Sequence, residues 1–157
     1  MNLICLLTLS KLSKIIATAS IFTKVGWFHA SSLTFLILVA LLGNVLVLTF
    51  PDKLATYCDT SHKVVTWGNI VGHIIFPVVI GAALIYIHKH RSPIWSWKDA
   101  VKSCGTVIGV GVLYFIVMLF GGVCSYGLDI RTNIYFAIAW IVLAIGITPL
   151  SLLVFNK

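Results

Sequence analysis

His73 lies inside a largely apolar stretch, VVTWGNIVGHIIFPVVIGAALIYI, that runs from Val64 to Ile87. A stretch of that length can cross a bilayer core, which takes roughly 20 residues. An ionisable side chain at mid-depth is costly and faces a bundle interior or a polar cavity. Asn69 stands one helical turn before His73 and Pro77 one turn after it, so Asn69 and His73 share a helix face. Pro77 has no backbone N–H, so the carbonyl of His73 loses its ordinary helical donor. One turn therefore offers a carboxamide, an imidazole and a freed carbonyl. These groups suit general-base chemistry. A neutral imidazole within about 2.6–3.2 Å of a hydroxyl can take its proton, activating a weak nucleophile. Asn69 can orient the ring or donate to a developing oxyanion. The same residues also suit a purely structural role, because polar side chains in membranes hydrogen-bond across helices and hold bundles together.

The elements that must position this turn are membrane spans. The chain has 157 residues, 60% of them hydrophobic and only 10% charged. Soluble domains carry about 25% charged residues. The fold class expected is all-α, a single polytopic membrane helix bundle over residues 1–157. Four spans are expected at about 31–50, 64–87, 103–123 and 133–155. Trp67, Tyr86, Trp95, Trp97, Tyr126 and Tyr135 fall near segment ends, as interfacial aromatics do.

A further helix is expected at about 3–22, and it carries Lys11 and Lys14. At mid-depth each lysine would cost about 2.5–3.5 kcal/mol. Lys11, Lys14 and Thr18 share a face, which fits either a helix lying in the interface or a span with its polar face turned inward. Ala17-Thr18-Ala19 has the look of a signal cleavage site. No basic residue precedes the apolar stretch, however, and the lysines interrupt it, so retention of the segment is expected.

The net charge is +7. The basic residues flank apolar segments, so they read as topology signals and headgroup contacts, with no nucleic-acid partner expected. Lys89, Arg91, Lys98 and Lys102 make the stretch between the third and fourth segments the richest in positive charge. That stretch, with the C-terminus, is expected on the cytoplasmic side of the membrane, the plasma membrane in a bacterial cell. Its mixture with Trp95 and Trp97 suits anionic lipid headgroups, and residues 95–103 read as a short amphipathic helix with Ser96 as N-cap.

Cys5, Cys58, Cys104 and Cys124 form no CxxC or CxxxH spacing, so no metal site and no cofactor are expected. Unpaired thiols are expected, with a Cys58–Cys124 disulfide as the alternative in an oxidising compartment. Gly68 with Gly72 and Gly105 with Gly109 make small-xxx-small patterns, expected to favour close helix packing or homo- or hetero-oligomers.

From Trp67 onward the run WGNIVGHIIFPVVIGAALIYIHKHRSPIWSWKDAV resembles the androgen-induced membrane hydrolase family and its bacterial six-helix relatives. The shared features are an asparagine, a histidine four residues on, a proline, a long apolar stretch, a basic turn and a Trp-x-Asp-Ala element. The resemblance spans roughly Ser31 to Phe155 and is most specific at the Asn69–His73–Pro77 turn. It implies a six-helix bundle with an intramembrane site. There a threonine acts as nucleophile and a histidine as base, hydrolysing fatty acid esters of hydroxy fatty acids. His73 matches that histidine. Thr8, in LLTLSKL, matches the threonine by helix order, whereas Thr34, in SLTFLIL, matches it by local sequence. The chain departs from the family in having room for five helices, so the family's first helix is expected to be missing.

Three functions follow. One is a lipid-ester hydrolase with Thr8 as nucleophile, His73 as base, Asn69 as orienter or oxyanion donor, and Lys14 holding a fatty acid carboxylate. A second is a non-catalytic bundle or subunit of a larger complex with Asn69 and His73 as interhelical glue. The third is a small transporter with His73 in the path. It is weakened because Asp52, Asp59, Asp99 and Asp129 all fall outside the expected spans.

Overall fold

The computed structural model describes residues 9–23, 26–57, 59–91, 97–121 and 134–155. The elements are α1 (Leu9–Ile21), α2 (Gly26–Thr49), α3 (Pro51–Tyr57), α4 (His62–Asn69), a π-helical turn (Ile70–Ile75), α5 (Phe76–Arg91), α6 (Trp97–Gly121) and α7 (Ile134–Phe155). No strand occurs among the described residues. Three stretches are long and apolar enough to cross a membrane: Trp27–Thr49, His62–His90 and Trp97–Val117. α7 is helical over 22 residues, with the shorter apolar stretch Ala137–Leu150 inside it. This is a helical membrane bundle.

The spans are longer at their N-terminal ends than their apolar runs suggest. α2 begins at Gly26 rather than near Ser31, because His29, Ser31 and Ser32 are buried inside the bundle. The hydroxyls of Ser31 and Ser32 bond back to the carbonyls of Trp27 and Phe28 at 2.8 Å, so they place no unsatisfied donor in the core. α6 begins at Trp97 and absorbs the expected short amphipathic helix into a single helix of 25 residues. Asp52 and Asp99 stand in the first turns of α3 and α6, where a carboxylate meets the positive end of the helix dipole.

α2 is the central element. It packs against α1, α5, α6, α7 and the π-helical turn. One core lies between α2, α6 and α7, built on Phe35, Leu38, Val39, Val107, Phe115, Trp140, Ala144 and Ile147. Trp140 is fully buried and meets Phe35 and Phe115 edge to face, with ring centroids 5.5 and 6.0 Å away. Its indole N–H donates to the Val107 carbonyl at 3.3 Å, which satisfies its polar atom in the core. Gly111 makes room for that ring, since a Cβ there would overlap the indole. A second core joins Ala30 and Leu33 of α2 to Leu84 of α5.

α1 packs lengthwise on α2 and α5. It turns Ser13, Ala17 and Ser20 inward and leaves Ile15 65% exposed, on a face that also carries exposed Lys11, Leu12 and Thr18. Its thirteen described residues rise about 20 Å, against a core of roughly 30 Å.

Three of the four glycines in the small-xxx-small patterns make no close helix contact within this bundle. Gly68, Gly105 and Gly109 are exposed, and a Cβ at any of them would meet nothing within 4 Å. The close approaches occur instead at Gly43 and Gly111, which face the central helix contacts.

Candidate functional site

The third membrane segment opens at Ser61, whose extended backbone (φ −87°, ψ 152°) and hydroxyl cap α4 by accepting from the Val64 N–H at 3.3 Å. The helix then widens into the π-helical turn that carries His73. The Phe76 N–H reaches back to the Val71 carbonyl, five residues earlier. The cause is close by: Pro77 cannot donate to the His73 carbonyl, and its ring crowds that carbonyl in a regular helix. A wider turn relieves the crowding, and such turns recur at functional sites.

Asn69 and His73 come together as their spacing predicts. The His73 Nδ1 lies 3.0 Å from Asn69 Oδ1, and both side chains are buried. The structure adds a third member, Asn44 of α2. Asn69 Nδ2 donates to Asn44 Oδ1 at 2.9 Å. Asn44 Nδ2 in turn donates to the Ala40 carbonyl at 2.8 Å and to the His73 carbonyl at 3.2 Å. The carbonyl freed by Pro77 thus finds its donor on the neighbouring helix.

The network has one direction. The two backbone carbonyls only accept, so the Asn44 atom facing them is its NH2. Asn44 then presents its oxygen to Asn69, which must donate from Nδ2. Asn69 therefore presents its own oxygen to His73, whose Nδ1 must carry a proton. In the neutral ring the lone pair is left on Nε2, the atom a general base uses. The ring also packs against α2 at Gly43, where a Cβ would overlap Nε2 and Cδ2. Gly43 and Asn44 together set the ring's position and its tautomer.

Lys14 reaches this site from α1. Its Nζ stands 5.4 Å from the centroid of the Phe76 ring, a cation–π distance, and its charge acts on His73. Lys14, Asn69 and His73 are therefore assembled by α1, α4 and the π-helical turn. Thr8 lies outside the described residues. Thr34 is fully buried on α2 and precedes Gly43 by nine residues, about 14 Å of helix rise, so it stands well away from the His73 ring. Ser103 Oγ is buried without a hydrogen-bond partner, on a helix that packs mainly on α2 and α7.

Lys89, Lys98 and Lys102 are exposed near the ends of α5 and α6, as headgroup contacts require. The side chain of Arg91 lies outside the described ones. Cys104 is a free thiol, and Cys5, Cys58 and Cys124 lie outside the described residues. No group of three or more metal-ligating side chains occurs among the described residues.

His88 departs from the sequence expectation. It belongs to α5 and not to a basic loop, and it is 2% exposed. It meets His29 of α2, 0% exposed, with the two Nδ1 atoms 3.1 Å apart. The signal was periodicity: 73, 77, 81, 84 and 88 form one helix stripe, and His73, Gly81, Leu84 and His88 of that stripe meet α2.

The fold and the site define an integral membrane bundle with a directed Asn–Asn–His relay at mid-span. Among known proteins the chain matches no family model, no curated protein and no solved structure.

Proposed function

We propose that the protein is an intramembrane lipid-ester hydrolase in which His73 is the general base. The observation that carries this reading is the directed relay, which protonates Nδ1 and so puts the lone pair of the neutral ring on Nε2. A carboxamide that orients a histidine from behind is also the arrangement of a Cys-His-Asn site. In the proposed reaction the Thr8 hydroxyl attacks the ester carbonyl and its proton passes to His73 Nε2. The tetrahedral adduct collapses, Nε2 returns the proton to the leaving alkoxide, and an acyl-threonine forms. A water, deprotonated by the same nitrogen, attacks the acyl carbonyl; the C–O bond to Thr8 breaks, Nε2 returns the proton to the Thr8 oxygen, and the fatty acid leaves. Lys14 holds an acidic group of the substrate near Phe76. The substrate enters from the lipid. Lys89, Arg91, Lys98 and Lys102 contact anionic headgroups, and the C-terminus is cytoplasmic.

The test is acyl trapping. Protein in lipid nanodiscs is mixed with long-chain esters, quenched with acid and mapped by mass spectrometry. The expected result is an acyl adduct on Thr8 in the wild type and none in His73→Ala protein. A second expected result is a rate about 10²–10⁴-fold lower in the variant, the usual contribution of a positioned base. Turnover at the wild-type rate by folded His73→Ala protein rules the mechanism out.

One observation favours a structural role for the same residues. Asn44 takes up the carbonyl freed by Pro77, so the network also ties α2 to the π-helical turn. In that reading the protein is a non-catalytic bundle, and Asn69→Ala lowers the melting temperature with no activity to lose.

A further inference from the structure

α1 carries a charge on the side that faces away from the bundle. Ser13, Ala17 and Ser20 are buried, and on the opposite side Lys11, Ile15 and Thr18 are exposed. Their spacing of four and then three residues stacks them on one helix face. Lys11 finds no counter-charge in the elements around it. α1 packs on α2, α5 and the π-helical turn, and none of these carries an acidic residue. Lys14, three residues on, is a second cation and turns to the Phe76 ring. Of the four acids in the sequence, Asp52 and Asp59 lie beyond the end of α2, Asp99 stands in the first turn of α6, and Asp129 lies outside the described residues.

Thr18 is unspent as well. Thr49, Thr56, Thr66, Thr106 and Thr148 each give their hydroxyl to the carbonyl four residues before. Thr18 makes no hydrogen bond among the described residues. A free hydroxyl and an unpaired ammonium on one lipid-facing helix are both costly, and a partner that accepts from both relieves them together.

Depth separates the candidate occupants. α1 ends at Ile21 and α2 begins at Gly26, where the first span starts, so the connection between them marks a membrane edge. Lys11 lies ten residues before Ile21, a rise of about 15 Å. That is the middle of a core of roughly 30 Å. Lipid phosphates sit at the edge, and a lysine stem covers only part of the distance. A second copy of the chain has no acid at mid-span in any described helix, and two-fold pairing through this face sets Lys11 against its own copy. A helix of another protein can carry a carboxylate at this depth, and ionisable residues within spans pair in this way.

We propose that the outer face of α1 docks a transmembrane helix of a partner protein that carries an Asp or Glu at mid-span. The partner carboxylate pairs with Lys11, Ile15 supplies the apolar contact, and the Thr18 hydroxyl donates to the same helix about two turns away. The docking is independent of the chemistry assigned to His73.

The experiment uses the full chain in phosphatidylcholine vesicles with leucine-rich transmembrane peptides that carry either Glu or Leu at their centre. Energy transfer between a dye on the protein and a dye on the peptide reads association. The expected result is association with the Glu peptide about tenfold tighter than with the Leu peptide, and loss of that preference in Lys11→Leu protein. Charge reversal is the second arm: Lys11→Glu protein is expected to lose the Glu peptide and to gain a peptide with a central Lys. Equal association with the Glu and Leu peptides, or a preference for Glu that Lys11→Leu leaves unchanged, overturns the docking. Displacement of the Glu peptide by phosphatidylglycerol or oleate gives the face to an acidic lipid and overturns it as well.

Discussion

Removing Asn44 tests whether the relay is one connected unit. The Asn44 side chain makes three hydrogen bonds, to Ala40, His73 and Asn69. Alanine leaves the Ala40 carbonyl with its ordinary helical donor, so little is lost there. The Asn69 NH2 and the His73 carbonyl lose partners in a buried site. A stranded polar group costs about 1–3 kcal/mol, whereas interhelical bonds in membranes average about 0.6 kcal/mol. A loss of about 1–3 kcal/mol for Asn44→Ala follows, read by reversible unfolding in mixed micelles. The sharper test is a double-mutant cycle with His73→Ala. That change keeps the His73 carbonyl and deletes only the ring, which Asn44 does not bond. Any coupling must therefore pass through Asn69. Members of one hydrogen-bond network couple by about 0.5–3 kcal/mol, so a value of at least about 0.5 kcal/mol is expected. Additivity within about 0.3 kcal/mol would refute the relay as a unit.

Other substitutions probe the close contacts. Gly43→Ala drives a methyl into the His73 ring and is expected to cost about 1–3 kcal/mol, seen as a lower melting temperature; an unchanged value would mean the ring has room to move. Gly111→Ala does the same to Trp140, with a comparable loss and a changed near-ultraviolet circular dichroism signal for the indole; an unaltered spectrum would contradict the packing described. Gly105→Leu places a side chain in open space and is expected to change stability by no more than about 0.5 kcal/mol. A shift in assembly state on size-exclusion chromatography would instead place a second chain on that face.

The spans were legible because a bilayer demands long apolar runs, and those runs dominate this composition. The Asn69–His73–Pro77 turn was legible because its three residues lie within two helical turns, and helical spacing alone brings them together. Asn44 and Gly43 escaped because their partners lie 25 to 30 residues away across a helix contact, which no local periodicity reports. A polar residue at mid-span in VALLGNVLVL was the available hint. His88 was hidden by its neighbours: Lys89, His90 and Arg91 make the segment look like a solvated basic turn. The helical stripe it shares with His73 and Gly81 separates it from them. The N-terminal end of α2 was misplaced because His29, Ser31 and Ser32 are polar, although all three are buried and the two serines bond back to their own helix; the start of α6 was set apart because Lys98, Asp99 and Lys102 interrupt the apolar run.

The most direct test of the site is the protonation state of His73. The chain has only five histidines, so protein labelled with 15N at histidine gives a spectrum that His73→Gln can assign by difference. The directed relay predicts, at neutral pH, a protonated Nδ1 and an unprotonated Nε2 at His73, with Asn44→Ala blurring that preference. An Nε2–H tautomer at His73, or a mixture of the two that Asn44→Ala leaves unchanged, would contradict a base held ready by Asn69 and Asn44.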